Sequence, residues 1–203
     1  AGKTTTMRIL AGEGEPYAGH ISRKGEIGYL PQDPKEGDLD QLARDRVLSA
    51  RGALTHAAPV FLKIAPDLAD ADKADIAAAA RAARLDALIV SNTTTARPAD
   101  LKSADAGEKA GLSGAPLFAP STALLREFRQ ALGAEIPLIG VGGVASARDA
   151  YIKILAGASL VQLYTALVFH GPGLVAEIVR ELPGFVRADG FARVADAVGA
   201  EAR

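Results

Sequence analysis

The chain has 203 residues, with 23 Lys and Arg against 24 Asp and Glu, three histidines and no cysteine. This excludes a disulfide scaffold and any Cys-ligated zinc or iron–sulfur centre, and the balanced charge gives no electrostatic case for nucleic acid as a partner. No apolar run approaches the roughly 18 residues of a membrane span, and Ala1-Gly2-Lys3-Thr4 does not open a signal peptide, so an alanine-rich, cytoplasmic α/β protein is expected.

In chain order, residues 4–10 read as a short helix, 26–30 as a strand, 33–40 as an acidic loop and 42–50 as a helix. The pattern then becomes regular. Strand 60–64 precedes helix 70–84, which has acidic residues in its first turn; strand 88–91 precedes helix 122–132; strand 137–141 precedes helix 147–156; strand 160–164 precedes helix 173–181. Short apolar runs alternating with helical periods predict a parallel sheet covered on both faces. Four such units make half of an eight-stranded (β/α)₈ barrel, with a doubly wound open sheet as the alternative. Residues 92–120, rich in Thr, Gly and Pro, form a long connection at the carboxyl end of a strand, where loops more often carry function than fill space.

The chemistry gathers at these strand ends. Lys63 sits inside an apolar strand between Leu62 and Ile64, so a buried or site-facing cation is favoured over a solvated one, suited to an anionic ring or phosphate. Asn92, Thr93, Thr94 and Thr95 follow the second strand, either as turn and cap formers or as ligands to a polar planar group. Gly140-Val141-Gly142-Gly143 ends the third strand just before a helix starting near Ser146, and can bring backbone N–H groups to an anion. Gly157 reads as a helix terminator, and Tyr164-Thr165 closes the fourth strand. Phosphate sites recur after the last two strands of such barrels. His20, His56 and His170 have no ligand spacing, and no metal site is expected.

Five ordered segments carry a resemblance. They are Phe61-Leu62-Lys63-Ile64-Ala65-Pro66-Asp67-Leu68, Val90-Ser91-Asn92-Thr93-Thr94, Gly111-Leu112-Ser113-Gly114-Ala115-Pro116-Leu117, Ile139-Gly140-Val141-Gly142-Gly143 and Gly157-Ala158-Ser159-Leu160-Val161-Gln162-Leu163-Tyr164-Thr165. Over residues 55–203 the chain resembles the C-terminal half of the class 2 (quinone) dihydroorotate dehydrogenases. The resemblance implies an FMN-dependent barrel that oxidises dihydroorotate to orotate in pyrimidine biosynthesis and passes electrons to a quinone. It implies that Lys63 lies beside the flavin ring, that Ser91, Gly114 and Gly143 line the flavin, and that Gly143, Tyr164 and Thr165 reach its phosphate. Asn92 and Thr93 would hold the substrate. The family's serine base lies in a first-half segment with no counterpart here, and Ser91, Ser113 and Ser121 belong to other motifs, so no catalytic residue is assigned. The family's N-terminal membrane-contact helices also have no counterpart, although the family itself is peripheral at the inner membrane. Residues 53–203 are therefore expected to lack full activity alone, and a flavin-binding half-barrel that self-associates to cover its edges is an alternative.

Residues 1–52 read differently. Gly2-Lys3-Thr4 at the head of a helix matches the tail of a phosphate-binding loop. With Thr5-Thr6-Met7-Arg8-Ile9-Leu10-Ala11-Gly12 and Gly25-Glu26-Ile27-Gly28-Tyr29-Leu30-Pro31-Gln32, it resembles the start of an ABC-type ATPase cassette of the translation-associated kind. That resemblance implies nucleotide contacts from Gly2, Lys3, Thr4 and Gln32. ATP hydrolysis is not expected, because the cassette's later motifs are absent. The two patterns meet between Arg51 and His56 without a linker, and natural fusions normally join whole domains, so a chimeric or misassembled sequence is the expectation.

Overall fold

The computed structural model describes residues 59–99, 101 and 106–202. The expectations for residues 1–52, including Gly2, Lys3, Thr4 and Gln32, lie outside the described residues. The chain divides into two compact units, Ala1–Val60 and Phe61–Arg203, and the second unit is described below.

Four short runs rich in Ile, Leu and Val form one parallel sheet: β1 (Phe61–Ile64), β2 (Ala87–Val90), β3 (Leu138–Val141) and β4 (Ala158–Gln162), in spatial order β1-β2-β3-β4. Helix α1 (Asp70–Ala82) joins β1 to β2, and α2 (Phe118–Leu132) joins β2 to β3 after a 3₁₀ turn at Ala115–Leu117. Helix α3 (Ala147–Leu155) joins β3 to β4; α4 (Thr165–His170), α5 (Gly173–Ala188) and α6 (Val194–Ala197) follow. This regular βα alternation agrees with the half-barrel expectation.

The pairings Lys63↔Ile89, Ile89↔Ile139 and Ile139↔Leu160 place these residues in one row across the sheet. The neighbouring row runs Ile64, Val90, Gly140, Val161. Alternation along a strand sends the two rows to opposite faces. A Cβ added at Gly140 would lie 3.2 Å from Leu125 of α2 and 3.3 Å from Lys153 of α3, so the Gly140 row faces the helices. Leu88, Val90 and Leu138 on that face are fully buried.

On the opposite face Phe61 is 48% and Leu160 61% exposed. Among the described residues the helices shown packing on the sheet take the Gly140 face, and the opposite face is open at its outer strands, although Ile139 of the central β3 is only 3% exposed there. Lys63, on the outer strand β1, is accordingly exposed rather than buried.

Helix α1 opens with Asp70 and Asp72, and the Asp72 carboxylate accepts from Ala69 N–H at 3.0 Å, meeting one of the orphan donors of the first turn. Lys73 ties α1 to α2 through Glu127 at 2.7 Å. On α3, Ser146 Oγ accepts from Asp149 N–H at 3.1 Å as an N-cap. Beneath α3, Tyr151, Ile154 and Leu155 pack with Val186 of α5 and Ala197 of α6.

Several boundaries differ from the sequence reading. Helix α2 starts at Phe118, four residues before the expected 122, because Pro120 falls in the first turn, where its missing N–H costs no hydrogen bond. Strand β4 starts at Ala158, directly after Gly157 at φ +120°, and a register irregularity opposite Leu138/Ile139 passes over Ser159. Helix α5 continues through Pro183 to Ala188. Its last turns are anchored by buried Val186 and by Phe185, whose ring stacks on Tyr151 at 5.8 Å.

Candidate functional site

The carboxyl ends of β1 to β4 all lie at one end of the sheet, and most residues singled out from the sequence collect there. The run after β2 is fixed from β1's side. Thr94 Oγ1 donates to Asp67 Oδ1, while Thr95 N–H and Oγ1 donate to Asp67 Oδ2 at 2.7 and 3.1 Å. Partial burial raises the Asp67 carboxyl, but the hydrogen bonds from Thr94 and Thr95 together outweigh it and hold the group below its ordinary value. Asn92 N–H donates to Ile64 O at 2.7 Å, continuing the ladder beyond β2. Ser91 is buried, with its hydroxyl bonded to Asn92 O at 3.0 Å.

The long connection doubles back on this run. Thr94 and Leu112 exchange backbone hydrogen bonds as an antiparallel bridge. Gly111 is required there, since a Cβ would lie 2.1 Å from Thr93 Oγ1. The Arg97 guanidinium gathers the loop by donating to the carbonyls of Thr95, Ala96, Ala106, Glu108 and Ala110. At the far end Thr165 Oγ1 donates to Ser113 Oγ at 2.9 Å, and a Cβ on Gly114 would lie 3.3 Å from Thr165 Cγ2. Residues 92–94, 111–114 and 165 therefore form one continuous group across the head of the sheet.

Gly142 and Gly143 follow β3 with φ of +114° and +72°. They lie against the start of α2: a Cβ on Gly142 would come within 2.7 Å of Ser121 Oγ, and one on Gly143 within 2.4 Å of Phe118 Cβ. Below them is a group the sequence reading missed. Lys153 of α3 is fully buried, and its Nζ donates to Ser121 Oγ at 2.6 Å and to Phe118 O at 3.3 Å. The ammonium also lies 5.0 Å from the Phe118 ring centroid. Burial pushes the Lys153 amine down to about 7, against the opposing pull of Asp149 and with help from Arg126. A lysine in an otherwise apolar helical stripe (Tyr151, Ile154, Leu155) was the available signal.

Tyr164 and Thr165 do not close β4, as the sequence suggested; β4 ends at Gln162, and Thr165 begins α4 with Tyr164 59% exposed before it. Lys63 lies within β1, on the sheet face opposite the Gly140 row and in register with Ile89. Ser91 and Ser121 are buried against main-chain carbonyls, and Ser113 accepts from Thr165. Among the described residues no cluster of His, Asp or Glu could hold a metal ion, and no helix is long and apolar enough to cross a membrane.

Comparison with known proteins gives a concordant result. A family model described as dihydroorotate dehydrogenase matches residues 34–186. The dihydroorotate dehydrogenase (quinone) of Xanthobacter autotrophicus is 54% identical over 145 residues, 71% of this chain and 41% of its own length. That of Parvibaculum lavamentivorans is 56% identical over 195 residues, 96% of this chain and 55% of its own length. A ligand-free DHODH structure from Eimeria tenella superimposes with a TM-score of 0.74 at 36% identity, covering 79% of this chain and 49% of that one. The chain thus spans about half the length of the curated relatives it matches. The family match begins at Pro34, and the longer alignment reaches well into residues 1–52, upstream of the seam drawn from the sequence.

Proposed function

Because the chain belongs to the dihydroorotate dehydrogenase family, by a match over residues 34–186, we propose that it serves the FMN-dependent oxidation of dihydroorotate to orotate, with a quinone as acceptor, in pyrimidine biosynthesis. The observation that carries this reading is the placement of Lys63 on the sheet face opposite the Gly140 row while residues 92–94, 111–114, 142–143 and 165 converge at the head of the same sheet.

The residues present fit FMN. Two glycines at positive φ lead into a helix capped by Ser146, a hydroxyl stands at Thr165, and a cation lies on the sheet face. We assign Gly143, Tyr164 and Thr165 to the phosphate, Ser91 and Gly114 to the flavin's surroundings, and Lys63 to the ring edge, where a positive charge favours the reduced, anionic form. When bound, FMN supplies the two-electron acceptor. Asn92 and Thr93 hold the substrate by hydrogen bonds, and Asp67 keeps their run in place through Thr94 and Thr95. We assign none of the described serines to take the proton. The same reading puts this protein in the cytoplasm, whereas its family is peripheral at the inner membrane.

Dihydroorotate-dependent reduction of a quinone mimic tests the proposal. Slow, FMN-dependent turnover lost in Asn92→Ala supports it; turnover indifferent to FMN contradicts it.

Exposed Phe61 and Leu160 on the outer strands support a second reading, a flavin-binding half-barrel that self-associates. A strictly monomeric, compact chain in solution contradicts it. For residues 1–52 the cassette pattern remains a separate proposal resting on Gly2, Lys3, Thr4 and Gln32. ATP binding abolished by Lys3→Ala supports it, and the same sequences recovered as two separate transcripts would support the chimera; no ATP binding, or one transcript spanning Arg51 to His56, counts against each in turn.

A further inference from the structure

We infer that Lys153 is a positioning residue for the Gly142-Gly143 turn, acting from beneath it through Ser121; this rests on the assignment of that turn to the flavin phosphate. Lys153 has no surface to serve, since it is fully buried, and among the described residues its amine bonds only Ser121 Oγ and Phe118 O. A buried amine is costly to maintain, and its hydrogen bonds show where it acts. Nζ donates to Ser121 Oγ at 2.6 Å, which leaves the Ser121 hydroxyl proton for one of three carbonyls: Leu117 O at 2.6 Å, Phe118 O at 3.3 Å or Gly142 O at 3.5 Å. Nζ also bonds Phe118 O directly. Phe118 and Ser121 are the residues on which Gly143 and Gly142 rest, since a Cβ at either glycine would collide with them. Lys153 therefore locks the start of α2 into the seat that shapes the turn.

The charged groups facing Lys153 are Asp149 on its own helix and Arg126 on α2; β3 and β4 carry none. Burial, helped by Arg126 and opposed by Asp149, lowers the amine to about 7, so the charge beneath the turn depends on pH near neutrality.

The test compares FMN with riboflavin, which lacks the phosphate, by flavin fluorescence titration of the 203-residue chain and its Lys153→Met and Ser121→Ala variants. The expected result is an FMN affinity lowered about tenfold in both variants, the scale on which outer partners of a site act, with riboflavin affinity unchanged. Equal weakening of both flavins, or no change in either, overturns the inference. If the unaltered chain binds neither flavin, the cofactor assignment fails by itself, and an NMR titration still decides the role of Lys153. The Gly142 and Gly143 amide resonances should then move with a midpoint near 7 in the unaltered chain and stay fixed in Lys153→Met. Resonances that do not move in the unaltered chain overturn it. Should Lys153→Met fail to fold, Ser121→Ala carries both readouts.

Discussion

Thr165 Oγ1 donates to Ser113 Oγ across 2.9 Å, so the residue that begins α4 is bonded to the loop that follows β2. Strand β3 lies between β2 and β4, and the bond therefore bridges the turn in which Gly142 and Gly143 sit. Thr165→Val removes both this bond and a hydroxyl assigned to the phosphate, whereas Ser113→Ala removes only the bond. FMN affinity should fall about tenfold in the first and by less in the second, since one exposed neutral hydrogen bond contributes about 0.5–1.5 kcal/mol. Equal losses in a fluorescence titration would mean that Thr165 acts only by holding the loop.

Gly143 and Gly133 both adopt positive φ, at +72° and +61°. A Cβ at Gly143 meets the backbone nitrogen of Phe118 at 2.7 Å, while one at Gly133 meets nothing within 4 Å. Gly133 has ψ −136°, a combination almost confined to glycine, so Gly133→Ala should cost about 1–3 kcal/mol from backbone strain alone. Gly143→Ala should cost clearly more, because backbone must shift as well. Urea denaturation of the two variants measures the difference, and equal costs would refute the close packing of the turn on α2.

Asp67 is held below its ordinary value of 3.8, with partial burial opposing and the Thr94 and Thr95 hydrogen bonds prevailing. A depressed carboxyl stabilises the fold above its unfolded value and ceases to do so as pH falls through the folded value. Asp67→Asn should therefore be less stable than the unaltered chain at pH 7, and the gap should close in acid. Thr94 is only 6% exposed, so Asp67→Ala, which strands its hydroxyl, should cost about 1–3 kcal/mol. Thermal denaturation of these variants between pH 2.5 and 7 (values chosen as about one unit below and three above the ordinary carboxyl range) checks both.

Lys153 is shifted in the same direction, in a higher pH window and by burial of a cation. Its amine ordinarily releases its proton near 10.5 but does so near 7 when folded, so between those values the unfolded chain holds more protons. Stability should rise with pH across that window, and Lys153→Met should abolish the rise. Denaturation midpoints at neutral and alkaline pH report it directly; a parallel rise in the variant would assign the effect to another group.

The βα alternation was legible because each strand is a short apolar run and each helix carries its own period. The glycine turn and the Asn92–Thr95 run were legible as strand-end chemistry, and the loop group they join is held by Gly111 and Ser113, both within one of the ordered motifs. Asp67 and Lys153 were not singled out, since their partners Thr94 and Ser121 lie 27 and 32 residues away and only the fold brings them together. The start of α2 was hidden by Pro120, which reads as a break but occupies a first turn. Helix α4 was missed because six residues without a side-chain cap leave no periodic signature. The sheet face left open at its outer strands was missed because four buried-looking runs do not say which face their helices take.

The most direct test of the central claim is a flavin fluorescence titration of FMN into the 203-residue chain and its Lys63→Ala variant. The proposed site requires saturable quenching by the unaltered chain and an affinity about tenfold lower without the charge-assisted contact of Lys63. Absence of saturable quenching, or saturation unaffected by Lys63→Ala, would contradict the placement of FMN on this sheet.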